Sequence, residues 1–371
     1  MRSNGAARSS GSNCSWQAGR KERGVVVTTI AVDAMGGYHP DEVLAAVAEA
    51  SMFRDEHSEQ PVFFSLVGDE RTLTNKLSGL SHNPERIHVV HAPDHVGMAE
   101  SPQRAFENHP LNATTVACEL VAQGHADAVV SAGNPGLAVL SAREHFTLIE
   151  GVKRAALASV YPTPRRRGEN QDRFSLLLDV GASIHASSEE LVSFAIMGSS
   201  YARIVSRNEN PRVALLSNSR EGSMGPGSVV EAHALLQERR DINFIGNIEG
   251  HDIPHGNADV IVCEGFVGDV VIKILEGVGE AAMELARSAY ERKFVYRQGL
   301  RLLSGGLKKI KQVIDFEEYG GAPLLGYEHL MILAHPRSQQ RAIHNALRLT
   351  IKSAREDLAG DMRAHLEKGK V

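Results

Sequence analysis

The sequence predicts an α/β protein built on one doubly wound, mainly parallel sheet with helices on both faces. Three observations lead there. Short apolar runs rich in β-branched residues alternate with helical patterns from residue 24 to residue 277, as βα units around a parallel sheet require. Several runs are apolar without alternation, which suits strands buried on both faces. Glycine-bearing polar loops follow them, at the strand carboxyl ends where open α/β sheets hold ligands. No internal repeat is visible, which excludes a solenoid.

The first strand is read at 25–32. It runs into Asp33-Ala34-Met35-Gly36-Gly37 and a helix over 40–52 that opens on Pro40. Strands follow at 61–67, closed by Gly68-Asp69-Glu70 and a helix reaching 77, and at 87–91. Val116, Leu120 and Val121 share one side of a helix over 112–123. A strand at 128–130 ends in Ser131-Ala132-Gly133-Asn134-Pro135-Gly136, and a helix starts near 137. Pro135 suits a first helical turn but removes one backbone donor. The apolar run 174–180 leads through Gly181-Ala182-Ser183 to a helix over 188–205. Strands at 212–216 and 242–245 flank a helix over 229–239. A strand at 260–263 then turns through Glu264, Gly265, Phe266, Val267 and Gly268 into a helix where Val271, Ile274 and Leu275 share a face. A basic helical segment is expected over 283–314, a short strand at 330–333 after the glycine-rich 320–326, and a last helix over 338–358.

With 371 residues the chain accommodates one large domain, expected over 24–358 behind a disordered tail at 1–23. The tail has no apolar stretch, so a secretory signal is not expected. A net charge of −5 argues against whole-surface nucleic-acid binding. Cys14, Cys118 and Cys263 lie far apart, which suits a reducing compartment with neither a disulfide framework nor a zinc site. No apolar run approaches membrane-spanning length.

The loops at 33–37, 131–136, 179–183 and 264–268 are the candidate site. Glycines let backbone approach a ligand, and helix starts offer N–H donors and the positive dipole end. The first βα turn carries no G-x-G-x-x-G, and the chain lacks a P-loop, a G-x-S-x-G elbow and His-Glu-x-x-His. What remains is a set of backbone donors suited to a phosphate-sized anion. Asp33 is read equally as a helix cap and as a catalytic or orienting group.

In order along the chain stand Ala31-Val32-Asp33-Ala34-Met35-Gly36-Gly37, Ser131-Ala132-Gly133-Asn134, Leu178-Asp179-Val180-Gly181-Ala182, Gly246-Asn247-Ile248-Glu249-Gly250, Gly265-Phe266-Val267-Gly268 and Gly320-Gly321-Ala322-Pro323-Leu324-Leu325-Gly326. Together they resemble the bacterial phosphate acyltransferase family, PlsX, over about residues 27–354. The resemblance implies a Rossmann-like α/β/α sandwich related to isopropylmalate dehydrogenases, with a helical projection at the basic segment. It implies transfer of a fatty acyl group from acyl carrier protein to inorganic phosphate in phospholipid synthesis, without cofactor or metal. It further implies a homodimer that is cytoplasmic and peripherally membrane-associated.

Phosphate is itself a nucleophile at neutral pH, so orientation and preorganised donors can supply most of the catalysis. Asp33, Glu264 and Lys273 are the candidate acid/base or charge-positioning residues, and periodicity alone reads Lys273 as a solvated helix lysine. Gly36, Gly37, Ser131, Gly133, Asn134, Gly136, Gly181, Gly265 and Gly268 are expected to hold phosphate or substrate. His335 and Asn345 are read as structural. Arg297, Arg301, Lys308, Lys309 and Lys311 are expected to meet an acidic partner or an anionic membrane; the plain alternative is a solvated helical pair.

The sequence departs from the family pattern at Tyr38, Pro135, Ser183, His185, Met224 and Asp269, and Met224 stands where the family has a Lys. A catalytically impaired relative that binds the carrier or an acyl ligand is therefore the second reading. A dehydrogenase on the same fold is the third, opposed by the missing dinucleotide fingerprint.

Overall fold

The computed structural model describes residues 27–53, 60–292, 298, 302 and 320–368. The tail at 1–23 lies outside them, as do Arg297, Arg301, Lys308, Lys309, Lys311 and most of the expected projection.

The strands are β1 (Thr28–Asp33), β2 (Val62–Gly68), β3 (Ile87–His91), β4 (Ala128–Ser131), β5 (Ala156–Arg167), β6 (Asp172–Leu178), β7 (Val213–Leu216), β8 (Phe244–Ile248), β9 (Val260–Val262), β10 (Ala322–Leu325) and β11 (Leu330–Leu333). The helices are α1 (Pro40–Met52), α2 (Glu70–Leu77), α3 (Pro102–Asn108), α4 (Ala113–Ala122), α5 (Pro135–His145), α6 (Ser188–Ser206), α7 (Gly227–Glu238), α8 (Gly265–Arg292), α9 (Gln340–Arg355) and α10 (Leu358–Lys368).

All strands join one sheet in the order β3-β2-β1-β4-β11-β10-β5-β6-β9-β7-β8. The β3-β2-β1-β4-β11 set is parallel throughout, and so is the β6-β9-β7-β8 set. The pairings β11–β10, β10–β5 and β5–β6 are antiparallel. Three successive reversals make the two parallel sets run in opposite directions. The mainly parallel sheet expected from the sequence is present, with a central antiparallel seam that was not foreseen.

That seam is where the sequence reading falls short. β5 contains Pro162 and Pro164, which cannot donate to a ladder, and its register shifts between Pro162 and Arg167. β10 is Ala-Pro-Leu-Leu between glycines and reads as loop. Three further corrections concern helices, the first being α3 over Pro102–Asn108, which the sequence reading passes over. α8 runs unbroken from Gly265 to Arg292, so the expected basic segment does not begin as a separate helix at 283 but continues the helix of the candidate site. The chain also does not end its order at 358, because α10 packs on α6 through Arg203–Asp361 (2.7 Å).

Alternation along the strands gives the sheet two different faces. Ile30, Val32, Val130, Leu176, Leu178, Val213 and Val260 point into one continuous core that also receives α1, α6 and α9. On the opposite face the core is divided. Ala31, Val129 and Met331 pack with α4 and α5, whereas Leu177, Ala214 and Ile261 pack with α8. Leu157 of the seam packs against both parts.

The seam is pinned by a buried ion cluster. Arg167 is bonded to Asp259 and donates to Thr163 Oγ1 (2.6 Å), Ser175 Oγ (3.1 Å) and the carbonyls of Gly256 and Ala258 (3.0 Å each). Arg212 reaches the same carboxylate at 2.7 Å. Burial opposes ionisation of Asp259, but the bonds from Arg212 and Arg167 outweigh it and hold the carboxyl below its ordinary range.

Arg167→Met leaves buried acceptors unpaired and is expected to lower stability by about 3–5 kcal/mol in urea titration. For Asp259 the sign follows from its lowered value: its contribution is present above the ordinary carboxylate range and lost as pH falls through the folded value. The thermal midpoint should therefore drop on acidification below about pH 4. Asp259→Asn should flatten that drop.

Candidate active site

The four glycine-bearing bends come together two by two. In the first pair, Asp33 at the tip of β1 is buried and accepts four hydrogen bonds. Oδ1 takes the N–H groups of Met35 (3.1 Å) and Gly36 (2.9 Å), and Oδ2 takes the hydroxyls of Thr114 and Ser131 (2.7 Å each). The carboxylate thus closes its own bend and ties it to β4 and α4. A Cβ on Gly36 would stand 2.7 Å from the Gly133 backbone, so only glycine permits the two bends to touch. A third bend joins them from β11: Ala334 N–H donates to Ser131 O (2.8 Å), and Tyr38 N–H donates to Pro336 O (2.9 Å).

Asp179 repeats the device at the tip of β6. It is fully buried, and Oδ1 accepts from Leu157 (2.9 Å), Gly181 (3.2 Å) and Ala182 (3.0 Å), while Oδ2 accepts from Ser183 N–H (2.7 Å). Burial pushes its carboxyl above the ordinary range against those bonds. Gly265 N–H, at the start of α8, donates to Ser183 Oγ (3.1 Å). Glu264 sits in the same turn, half-buried, with the exposed His185 ring 3.4 Å from its carboxylate. Thr114 was not singled out from sequence, Asp179 was read only as part of its loop, and Ser183 only as a departure from the family pattern. The available signal was the shared pattern of Asp at the end of an apolar strand with glycine two or three residues on.

The two pairs belong to oppositely running strand sets. Ala182 of the second pair packs on the core of the first half. Along α8 the charge of Glu280 acts on His335 in the β11 bend; burial and Arg337 lower the pKa of that imidazole and Glu280 raises it. Glu280 lies about 22 Å up the helix from Gly265.

Where the glycines send their amides differs from the expectation. The N–H groups of Gly36, Gly133, Gly136, Gly181, Gly265 and Gly268 all donate within the protein. Asn134 caps α5 by accepting from Gly136 (3.0 Å) and Leu137 (3.2 Å), and its Nδ2 donates to Glu100 O (3.1 Å). These residues shape the bends. The first turn of α8 is different, because helix geometry leaves the N–H groups of Phe266 and Val267 without intrahelical acceptors. Lys273 is exposed and pairs with Asp269 one turn away (2.6 Å). It therefore neutralises the acidic residue that departs from the family pattern. Gly37 takes a positive φ of 84° with Ala132 O and Pro336 O close by.

Among the described residues, Glu249, His251 and Asp252 could converge on a cation, but Asp252 already accepts from Arg220 (2.8 Å) and Asn257 (2.7 Å). No helix among them is long and apolar enough to cross a membrane.

Comparison with known proteins fits this geometry. The profile of a family described as fatty acid synthesis protein matches residues 28–360. A phosphate acyltransferase of Gloeothece citriformis is 38% identical over 321 residues, covering 86% of this chain and 88% of the relative. One from Thermosynechococcus vestitus is 39% identical over 322 residues, with 86% and 90% covered. The chain belongs to this family. Like its relatives it is an acyltransferase of fatty acid and phospholipid synthesis. Among solved structures the fold matches a phosphotransacetylase from Streptococcus pyogenes (TM-score 0.59, 16% identity, 89% and 94% covered). It also matches a branched-chain phosphotransacylase from Enterococcus faecalis V583 (TM-score 0.53, 17% identity, 88% and 99% covered).

Asp33→Ala strips acceptors from two amides and two hydroxyls, and should destabilise the fold by about 3 kcal/mol in urea titration. Cys263 lies beside Asp179 and is buried, and burial pushes its thiol far up. It should resist an aromatic disulfide reagent in folded protein at pH 8 and react only after unfolding.

Proposed function

We propose that this acyltransferase moves a fatty acyl group from acyl carrier protein to inorganic phosphate, releasing acyl phosphate. The observation that carries the reading is the second bend pair: a rigid, carboxylate-braced turn at the start of a long helix, in a family whose relatives are phosphate acyltransferases.

A phosphate oxygen attacks the thioester carbonyl carbon, and the carbonyl oxygen becomes an oxyanion. The Phe266 and Val267 N–H groups are the donors assigned to it, aided by the positive end of α8. The oxyanion collapses, the C–S bond breaks, and the carrier leaves as a thiolate that takes up a proton. Asp179 and Ser183 position the turn. Glu264, with His185 at 3.4 Å, is the group assigned to hold the proton of the attacking phosphate. Asp33 acts as a positioning residue for the first pair, and Ser131, Gly133, Asn134 and Gly136 set its shape. Lys273 acts through Asp269.

The basic segment, with Arg297, Arg301, Lys308, Lys309 and Lys311, is assigned to docking the acidic carrier. A homodimer with peripheral membrane association belongs to the same reading.

Incubating the protein with acyl carrier thioester and phosphate, then trapping with hydroxylamine, should yield acyl hydroxamate. Absence of product beside an active relative would defeat the proposal. Glu264→Gln and Ser183→Ala should each reduce turnover about 10²-fold or more. Ser131→Ala and Asn134→Ala test in the same assay whether the first pair touches substrate.

A further inference from the structure

Helix α10 is fastened to the body by a buried histidine. Asp357 separates it from α9 and takes a left-handed φ of 49°, which breaks the helical path between the two. Beyond that joint, α10 lays Leu358, Met362 and Leu366 into the core it shares with α6. His365 stands among them, and its side chain is 4% exposed.

The contacts of the ring fix its tautomer. Nε2 lies 3.4 Å from the carbonyl oxygen of Asp241 and 3.7 Å from Asp241 Oδ2. Neither oxygen can donate, so Nε2 carries the proton. Nδ1 then holds the lone pair and accepts from Ser200 Oγ of α6 at 3.2 Å. The neutral ring thus joins α10 to α6 and to the turn between α7 and β8.

The charges that face this ring are already engaged with one another. Arg203 of α6 pairs with Asp361 of α10 (2.7 Å), and Arg239 pairs with Asp241 (2.6 Å). Both carboxylates are therefore largely neutralised before they can serve an imidazolium. A second ring proton would sit on Nδ1 against Ser200 Oγ, which already lies 3.5 Å from the Arg203 guanidinium. Burial and Arg203 lower the pKa of His365, and Asp241 and Asp361 raise it by less.

We propose that His365 is an acid-sensitive latch: its neutral ring holds α10 on α6, and protonation releases the helix about the joint at Asp357. Release uncovers Leu358, Met362 and Leu366 and the α6 surface beneath them. Because the folded value is lowered, the contribution of His365 is complete above the ordinary imidazole range, near about pH 6.5, and is lost as pH falls below it. That window lies above the carboxylate window of Asp259, so the two responses separate. One proton is taken up on release, so the opening constant of α10 rises by at most about tenfold per pH unit.

The test is amide hydrogen exchange of the full chain between pH 7.5 and pH 5, corrected for intrinsic exchange rates. Peptides from α10 should lose protection by about three- to tenfold per pH unit below the ordinary imidazole range, while those of α9 and β1 keep theirs. His365→Gln retains a donor and an acceptor but takes up no proton, and should flatten the response of α10. In a second arm, the His365 imidazole is titrated by NMR in wild-type protein and should protonate below its ordinary value. Equal pH responses in the variant and the wild type overturn the proposal. So does loss of protection in α10 and α9 together, or an imidazole that titrates at its ordinary value or above. If His365→Gln does not fold, the wild-type exchange profile and the titration decide the matter between them.

Discussion

A buried carboxylate must have its acceptor positions filled, and in this protein that requirement builds the site. Asp33 and Asp179 each end a buried strand, and each satisfies itself by folding the following backbone around its oxygens. An ionised group in such a place is tolerable only when hydrogen-bonded. The bends are consequently rigid. Gly36, Gly133, Gly265 and Gly268 are required because the neighbouring bend lies too close for a Cβ, whereas Gly37 and Gly181 are required by their positive φ.

The opposed strand directions then decide what the bends can do. A continuous core supports one face of the sheet, while the core of the other face is divided between α4 with α5 and α8. Long α8 passes from the second bend pair to the neighbourhood of His335. The helix start supplies N–H groups, and its outer face supplies apolar surface.

The chemistry needs no activated protein nucleophile. Cys118 and Cys263 are buried with their thiols pushed far up. Three of the positions that depart from the family pattern have partners, since Ser183 bonds Gly265, His185 faces Glu264 and Lys273 pairs with Asp269. Tyr38 and Met224 are exposed instead.

Much of the architecture was legible because it is encoded locally. The strands at 87–91 and 330–333 and the helix at 40–52 were read with their observed bounds, since apolar period and an initial proline suffice. The strands missed are those whose reason is distant: β5 and β10 contain prolines and are held between other strands of the sheet. The same holds for the site. Sequence alone determined which strand ends carry glycine bends, that Asp33 and Glu264 stand in them, and which family the bends resemble. Only the tertiary structure decided that Ser131 would bond Asp33 across 98 residues, that Asp179 would repeat its part, and that the glycine amides would turn inward. The physical reason is that a hydrogen bond is decided by the path of the whole chain, whereas an apolar period is decided by its neighbours.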